Sequence, residues 1–267
     1  MNKVLVLGGG FAGLEAAIYL RKQNLEVTLV SDRDYFYIYP TSIWIPTGEK
    51  RREDVSIPLD KLAFEHGFQL IVDPVEAFEA SSKKVTLQSG RILDEYRYIV
   101  VALGQDKMQL KGMEHTLSIC GKPEEATALY EKLESLIQKG EGKIAMGFGG
   151  NPKDTSAVRG GPAFEVLFNV HTYLKKKGVR NQFELTFFAP MEKQGQKMGE
   201  KALVMMEKMF KMTDVNKKIG SKITHFEEDG ICFEDETKLQ SDLTMFISAG
   251  KGHEILKASE LPLSDAG

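Results

Sequence analysis

The sequence of 267 residues predicts an α/β fold with two Rossmann-like lobes. Strand, helix and strand patterns follow one another twice, around residues 4–30 and 143–188. Residues 98–104 form a continuous apolar strand that ends in glycine, which is typical of a central parallel strand covered on both faces. Small antiparallel insertions are also expected, one starting as a hairpin at residues 84–90 and one as a three-stranded meander at residues 223–247.

The first lobe opens with a glycine motif. Residues 4–7 are apolar and run directly into Gly8-x-Gly10-x-x-Gly13, after which apolar residues recur at helical spacing. In this motif, Gly8 makes the tight turn, Gly10 lets the backbone approach a pyrophosphate, and Gly13 lets the helix pack closely on the strand. The motif therefore predicts a dinucleotide site with its phosphates at the helix N-terminus.

The next strand carries the expected partner of this motif. Residues 27–30 form a second apolar strand, which leads into Ser31 and Asp32. In such sites an acidic residue about 20 positions after the glycines binds a ribose hydroxyl. Asp32 is therefore predicted to contact the ribose.

The second lobe lacks a comparable glycine turn. Its strand ends in Gly-Phe-Gly-Gly at residues 147–150, but Asn151 and Pro152 follow, and the next helix is predicted to start only near Pro162. This loop moves the helix N-terminus away from the end of the strand. The pattern argues against a nicotinamide dinucleotide site in this lobe.

Composition excludes several other classes of protein. The net charge is −3, which does not favour nucleic acid as a partner, and no apolar run reaches 18 residues. The chain enters a strand directly after Met1-Asn2-Lys3, so no signal peptide is expected and a cytoplasmic chain is predicted. The five histidines and two cysteines show no metal-ligand spacing, and no metal is expected. Cys232, in an alternating strand, is predicted to be a core residue.

Several segments together resemble a known family. These are LGGGFAGLEAA at the first turn, SDRDYFYIYP after the second strand, YIVVALG at residues 98–104, Ser118-Ile-Cys120 before a helix, Gly-Gly-Pro-Ala-Phe-Glu at residues 160–165, and Thr-Met-Phe-Ile-Ser-Ala at residues 244–249, which looks like the strand that returns the chain to the flavin domain. They resemble flavoproteins with two dinucleotide-binding domains and the disulfide-oxidoreductase type of fold, and among these the sulfide:quinone oxidoreductases. The resemblance covers nearly the whole chain.

The resemblance implies a domain plan and FAD as the cofactor. Residues 1–106 would form the first part of the FAD-binding domain, residues 107–240 a second Rossmann-like domain, and residues 241–267 a segment returning to the FAD domain. Ser31 is an alternative to Asp32 at the ribose, and the family's Ala-Thr-Gly is here Ala-Leu-Gly at residues 102–104. The residues implied at the FAD site are Gly8, Gly10, Phe11, Ala12, Gly13, Ser31, Asp32, Arg33, Pro40, Ala102 and Gly104.

Two departures from the family concern catalysis. Cys120 matches one redox cysteine of the family, but Arg159 stands where the second would be. A guanidinium cannot carry a persulfide, although it can attract an anion such as hydrosulfide. The chain also stops before the family's third cysteine and its hydrophobic C-terminal region, so we expect a C-terminally truncated piece of a longer protein. Cys120 and Arg159 are the predicted catalytic residues.

The resemblance implies electron transfer from sulfide or a related sulfur donor, through FAD, to a quinone. One alternative is an NAD(P)H:quinone reductase similar to type II NADH dehydrogenases, and another is an inactive module that binds a nucleotide or a partner. Association with the inner membrane would be peripheral and would require the C-terminal part. Formation of a homo-oligomer is left open.

Overall fold

The computed structural model describes residues 3–158, 160–192 and 199–267. It contains two compact units, the first formed by residues 1–38, 56–106 and 251–267, and the second by residues 39–55 and 107–250. The α-helices of the described residues are α1 (Phe11–Lys22), α2 (Leu59–His66), α3 (Pro123–Lys139), α4 (Gly161–Lys176) and α5 (Glu200–Thr213).

The strands of the described residues number eighteen, and many are short. They are β1 (Lys3–Leu7), β2 (Glu26–Ser31), β3 (Tyr35–Tyr37), β4 (Ser56–Pro58), β5 (Gln69–Val72), β6 (Val75–Glu79), β7 (Lys84–Leu87), β8 (Ile92–Leu93), β9 (Tyr98–Val101), β10 (Asp106–Lys107), β11 (Gly142–Phe148), β12 (Phe183–Ala189), β13 (Asn216–Ile219), β14 (Ile223–Glu227), β15 (Gly230–Phe233), β16 (Lys238–Gln240), β17 (Leu243–Ile247) and β18 (Gly250–Lys251).

The first unit is built on a four-stranded parallel sheet in the order β5-β2-β1-β9. The chain moves outwards from β1 through β2 to β5 and then returns to the other side of β1 as β9. In this register Leu7 at the end of β1 lies beside Val30 of β2 and Val101 of β9. The order reverses between β1 and β9, which is where ligands bind in sheets of this kind.

The two faces of this sheet are covered by different elements. Val4 and Val6 of β1 pack towards α1, in a cluster that includes Leu14. Leu5 and Leu7 point the other way and pack against the antiparallel β6-β7-β8 sheet, where Val85 is fully buried. Because the alternate side chains of a strand point to opposite faces, both sets must be apolar, which explains the unbroken apolar run of β1.

The second unit repeats this plan. Its parallel sheet has the order β13-β12-β11-β17, and the antiparallel β14-β15-β16 sheet packs on one face. Stacked aromatic rings from α4 and β12 fill the other face, where the rings of Phe164 and Phe187 lie 4.3 Å apart and Phe210 of α5 joins them. The predicted fold class, two Rossmann-like lobes with small β-meander insertions, is confirmed.

The structure differs from the predicted domain plan in two places. Residues 39–55 lie in the second unit, although the expected boundary was at residue 106. Residues 243–247 form β17, which pairs with β11 in the second sheet and is neither the third strand of the meander nor a returning strand. All five residues of β17 are buried, as a parallel strand inside a covered sheet requires. The chain rejoins the first unit only after residue 250.

Cys232 also differs from its prediction. It is only half-buried, whereas its neighbours Ile231 and Phe233 are buried in the core of the second unit. The alternation of β15 was interpreted with the wrong phase, because the flanking Ile and Phe supply the inward-facing side chains. Within the described ranges, no helix combines the length and apolarity needed to cross a bilayer.

Arg180 joins three elements of the second unit. Its Nε donates to His171 Nδ1 of α4 at 3.0 Å, and its Nη1 donates to the carbonyl oxygen of Phe183, the first residue of β12, at 2.7 Å. Its Nη2 donates to the carbonyl oxygens of Thr213 at 2.9 Å and Asp214 at 2.6 Å, at the end of α5. Those last carbonyls of α5 have no partner within the helix, so the guanidinium satisfies them.

We expect Arg180→Ala to lower the free energy of unfolding by about 2–4 kcal/mol, because hydrogen bonds from a charged donor are lost at several partly buried acceptors. Urea unfolding followed by circular dichroism measures this change. Exposed Arg91→Ala is the matched control and should shift the free energy by less than about 0.5 kcal/mol. Equal effects of the two substitutions would contradict the bridging role of Arg180.

His171 accepts the Arg180 hydrogen bond and must be neutral at Nδ1 to do so. Burial, followed by the nearby charges of Arg180 and Lys175, lowers the pKa of His171 below its ordinary value. The unfolded chain therefore binds a proton near pH 6.5 that the folded chain resists. Since the unfolded state binds more protons as the pH falls towards 5, this histidine reduces stability on acidification.

We expect the His171→Asn variant to lose less stability than the wild type between pH 7.5 and pH 5.5. The Asn Oδ1 can accept the Arg180 hydrogen bond and does not titrate, so this contribution to the pH dependence disappears. Urea midpoints at both pH values for the two proteins give the comparison, in which the other titrating groups cancel. Parallel pH dependences would show that His171 does not titrate as described.

Candidate functional site

The glycine motif lies at the carboxyl edge of the first sheet. β1 ends at Leu7 and α1 begins at Phe11, so the chain turns from strand to helix within three residues. Gly8 has φ of +113°, a conformation that residues with a side chain rarely adopt. Its N–H donates to the carbonyl oxygen of Val30 at 2.8 Å. The N–H of Ala102, after β9, donates to the carbonyl oxygen of Leu7 at 2.8 Å. The turn is thereby attached to both neighbouring strands.

The three glycines of the motif meet different surroundings. A Cβ at Gly8 would collide with the carbonyl oxygen of Ala102, and a Cβ at Gly13 would collide with the carbonyl oxygen of Gly8. A Cβ at Gly10, in contrast, would have no atom within 4 Å. Gly8 and Gly13 are therefore required by the packing of the protein itself, whereas the space beside Gly10 is open to a ligand.

The start of α1 is suited to an anion. Gly10 is the N-cap and has no side chain with which to cap the helix, and the first turn contains no acidic residue. N–H groups at a helix start that side chains leave uncapped attract phosphate oxygens. Ala12 is exposed in this turn, and Phe11 is 45% exposed with its ring 4.8 Å from that of Phe36 in an edge-to-face arrangement.

Ser31 and Asp32, at the end of β2, differ in accessibility. Ser31 is buried, its Oγ accepts a hydrogen bond from the Arg33 N–H at 3.3 Å, and a Cβ at Gly9 would collide with that Oγ. The side chain of Asp32 is 65% exposed and lies 3.6 Å from the Arg33 Nε. The Arg33 guanidinium also lies 5.6 Å from the ring centre of Tyr35. The Ser31 hydroxyl is therefore used in a hydrogen bond within the loop, whereas the Asp32 carboxylate is accessible to a ligand.

The remaining predicted cofactor residues are divided between the units. Gly104 follows β9 with φ of +80°, and a Cβ there would meet no atom within 4 Å. It belongs to the first unit with Ala102 and the glycine motif. Pro40 is exposed and lies in a 3-10 helix, Tyr39–Trp44, which belongs to the second unit.

Cys120 is held in the second unit just before α3. Leu117, three residues before Cys120, forms a parallel β-bridge with Met245 of β17. The carbonyl oxygen of Ile119 accepts a hydrogen bond from Ser42 Oγ at 3.0 Å. Cys120 is half-buried, and its N–H donates to Ser118 Oγ at 3.3 Å. Arg159, the other predicted catalytic residue, lies outside the described residues.

A carboxylate that was not predicted lies in the segment that follows Cys120. The side chain of Glu125, in the first turn of α3, lies against Gly121, and its Oε1 accepts from the Lys122 N–H at 3.5 Å. The signal was present in the sequence as a Glu three residues after Lys122, in the position of a capping-box acid.

The carboxyl edge of the second sheet is arranged differently from that of the first. β11 ends at Phe148 and α4 begins only at Gly161, and Pro162 in its first turn has no N–H to offer. A cavity of about 490 Å³ lies at this edge. Its lining is mainly apolar and comprises Met108, Leu110, Gly149, Gly150, Asn151, Pro152, Thr155, Val158, Pro190, Met191, Lys222, Ile223, Phe246, Ser248 and Ala249.

One side-chain cluster in the described part of the chain combines metal-ligand types. His225, Glu227 and Cys232 bring their ligand atoms within 4.8 Å of one another. The Lys238 Nζ lies 2.7 Å from Glu227 Oε2 and balances its charge. Burial, and then the charge of Glu227, raise the pKa of the Cys232 thiol. Both features disfavour a bound cation at this cluster.

The chain is similar over nearly its whole length to known oxidoreductases. It is 29% identical over 272 residues to a sulfide-quinone reductase of Aquifex aeolicus, covering 96% of this chain and 60% of that protein. The crystal structure of the sulfide:quinone oxidoreductase from Aquifex aeolicus superposes with a TM-score of 0.84 at 27% identity, covering 97% of this chain and 61% of the other.

A second group of relatives acts on NADH. A type II NADH:quinone oxidoreductase of Staphylococcus epidermidis is 24% identical over 279 residues, covering 97% of this chain and 67% of the relative. The structure of NDH2 from Plasmodium falciparum in complex with NADH has a TM-score of 0.81 at 13% identity, covering 97% of this chain and 57% of that one, and supports the fold alone.

The chain spans about 60% of the length of the sulfide-quinone reductase it matches. The family model for pyridine nucleotide-disulphide oxidoreductases matches residues 2–267. The chain therefore belongs to the pyridine nucleotide-disulphide oxidoreductase family.

Proposed function

We propose that the protein is an FAD-dependent oxidoreductase of the sulfide:quinone type. It takes two electrons from sulfide or a related sulfur donor and passes them through the flavin to a quinone. The observation that carries this proposal is the open glycine turn at the carboxyl edge of the first sheet, where Gly10 leaves room for a pyrophosphate. The similarity to a sulfide-quinone reductase over 96% of the chain supports it.

The residues of the first unit fit a flavin adenine dinucleotide. Family membership and the sulfide-quinone reductase relatives imply a flavin as the class of cofactor. We infer that Gly10, Phe11 and Ala12 carry the pyrophosphate at the start of α1. Asp32 is the proposed ribose ligand in preference to Ser31, because its carboxylate is 65% exposed whereas the serine hydroxyl is buried. When bound, the flavin accepts two electrons and passes them on.

The second unit supports a sulfur donor over NADH. In the first unit three residues separate strand from helix, whereas residues 149–160 separate β11 from α4. Pro162 removes one N–H from the start of α4, and the cavity at this edge is lined mainly by apolar side chains. A nicotinamide dinucleotide needs N–H donors for its pyrophosphate at this point. The NADH-dependent relatives keep NADH:quinone oxidoreduction as the second candidate function.

Cys120 and Arg159 are the proposed residues that act on the sulfur donor. Cys120 is half-buried just before the start of α3, a setting that leaves the residue partly accessible to solvent. The Arg159 guanidinium would attract the hydrosulfide anion and hold it beside the thiol. Because Arg159 stands where the resembled family has its second redox cysteine, the proposal involves no disulfide at Cys120.

We expect Gly10→Val to weaken FAD binding at least tenfold, because the new side chain would occupy the space that the pyrophosphate needs. The unfolding free energy without FAD should change by about 1 kcal/mol or less, since the Cβ meets no protein atom. Gly13→Ala should instead lower that free energy by more than about 2 kcal/mol, because its Cβ strikes the Gly8 carbonyl. Quenching of FAD fluorescence and urea unfolding give the two readouts.

Gly161→Val is the matched control for these variants. Gly161 is also exposed at a helix start, and a Cβ there meets no atom within 4 Å, but it lies in the second unit. It should leave FAD affinity unchanged. Wild-type affinity in Gly10→Val would rule out the proposed position of the pyrophosphate.

We expect the FAD-loaded full-length protein to lose its 450 nm absorbance under anaerobic conditions on addition of sulfide, and to react at least a hundredfold more slowly with NADH. Cys120→Ser should slow the sulfide reaction at least tenfold. Cys232→Ser should leave the rate of the sulfide reaction unchanged, because Cys232 lies in the antiparallel β14-β15-β16 sheet and not in the segment before α3 that carries Cys120. Stopped-flow absorbance measures all four rates.

The outcomes of this experiment separate the candidate functions. Faster bleaching by NADH than by sulfide would replace the sulfide proposal by NADH oxidation. Equal sulfide rates in the two cysteine variants would remove Cys120 from the reaction. A purified full-length protein that binds no FAD would favour the inactive module.

A further inference from the structure

We propose that the cavity at the carboxyl edge of the second sheet binds an uncharged, mainly apolar ring compound about the size of a naphthoquinone. The proposed function names a quinone as the electron acceptor but does not say where a quinone binds. The inference goes beyond it because it assigns a ligand to this cavity. It rests on the position of the cavity, on the chemistry of its lining and on the arrangement of α4.

The cavity lies where the strand order of the second sheet reverses. Its lining includes residues 149–152 after β11, Pro190 and Met191 after β12, and Ser248 and Ala249 after β17. The sheet runs β13-β12-β11-β17, so the chain moves from β11 through β12 to β13 in one direction and then returns to the other side of β11 as β17. In open α/β sheets the loops separate at this point and leave a crevice for a ligand. A volume of about 490 Å³ suits a small molecule.

The two polar side chains of the lining that come from the ends of β11 and β17 are occupied within the protein. Asn151 is buried, its Nδ2 donates to the carbonyl oxygen of Gly250 at 2.8 Å, and its Oδ1 accepts from the Lys153 N–H at 3.0 Å. Ser248 Oγ donates to the carbonyl oxygen of Met108. A ligand at this position therefore meets few polar side chains with which to exchange hydrogen bonds.

The apolar side chains of the lining are suited to a flat ring. The Phe246 ring provides a planar surface that is itself packed against Phe226 at 4.7 Å, and Met108 and Met191 provide adaptable thioethers. Lys222 is the one charged residue among the described lining residues, and it is exposed. Because the described lining residues offer few charged or polar side chains, they disfavour the phosphates of a dinucleotide and favour an uncharged ligand.

Gly150 makes the cavity testable without damage to the fold. A Cβ there would lie 3.7 Å from Pro190 Cγ, its nearest neighbour among the described residues, which is an ordinary contact, and the φ of Gly150 is not in the left-handed region. A phenylalanine at position 150 would therefore project into the cavity from an unstrained backbone. Gly149 is unsuitable, because a Cβ there would lie 2.8 Å from Phe246 Cζ.

The experiment is isothermal titration calorimetry of the protein with menadione, with NADH as the comparison ligand. We expect saturable binding of menadione, at least tenfold weaker binding in Gly150→Phe, and wild-type binding in Gly161→Phe, where the same side chain is placed on an exposed helix start. Lys222→Gln should change menadione affinity by less than twofold, because the ligand has no charge. Urea unfolding of Gly150→Phe verifies that the variant is folded.

Three results would overturn the proposal. They are the lack of saturable menadione binding, equal menadione affinity in folded Gly150→Phe and wild type, or tighter binding of NADH that is weakened in Lys222→Gln. Binding of menadione that Gly150→Phe leaves unchanged would mean a quinone site elsewhere, which contradicts this proposal but is compatible with the proposed function. If Gly150→Phe does not fold, the smaller substitution Gly150→Leu at the same unstrained position takes its place, with the same expected loss.

Discussion

The close approach of α1 to the first sheet is the contact on which the arrangement of the candidate cofactor site depends. The Gly13 backbone touches the carbonyl of Gly8, and Gly8 in turn lies against the backbone of Ala102. Any Cβ at these two glycines would separate helix from sheet. Because the contact is made by backbone atoms, it sets the distance between β1, β9 and the start of α1 without adjustable side chains. Gly10, one turn away, is then left facing open space.

The two units show how one strand order can serve different chemistry. Both sheets place a central strand between a return strand and an outward pair, and both carry an antiparallel sheet on one face. They differ at the step from the central strand to the next helix, which is short in the first unit and extended over residues 149–160 in the second. The short step presents N–H groups to an anion. The long step leaves a crevice lined by apolar side chains instead.

Much of this architecture could be predicted from local patterns. The glycine motif, the two strand–helix–strand repeats and the helix expected after Cys120 are set by short-range rules, and the structure agrees with them. Other features depend on partners that are distant in sequence. They are the placement of residues 39–55 in the second unit, the pairing of β17 with β11, and the partial exposure of Cys232. The burial of Ser31 could not be predicted either, since it depends on the contact with Gly9. The lining of the apolar cavity comes from several loops, so no single segment of the sequence predicts it.

The last described segment has a consequence for how the protein is made. Residues 251–267 belong to the first unit, where Ile255 and Leu256 pack on its core and Ser259 accepts a hydrogen bond from the Ala80 N–H at 3.1 Å. The first unit is therefore completed by residues that are synthesised after the whole of the second unit. While the ribosome translates the second unit, at about 5–20 residues per second, part of the apolar surface over the β6-β7-β8 sheet stays uncovered for several seconds. Over that interval the nascent chain presents a hydrophobic patch to chaperones.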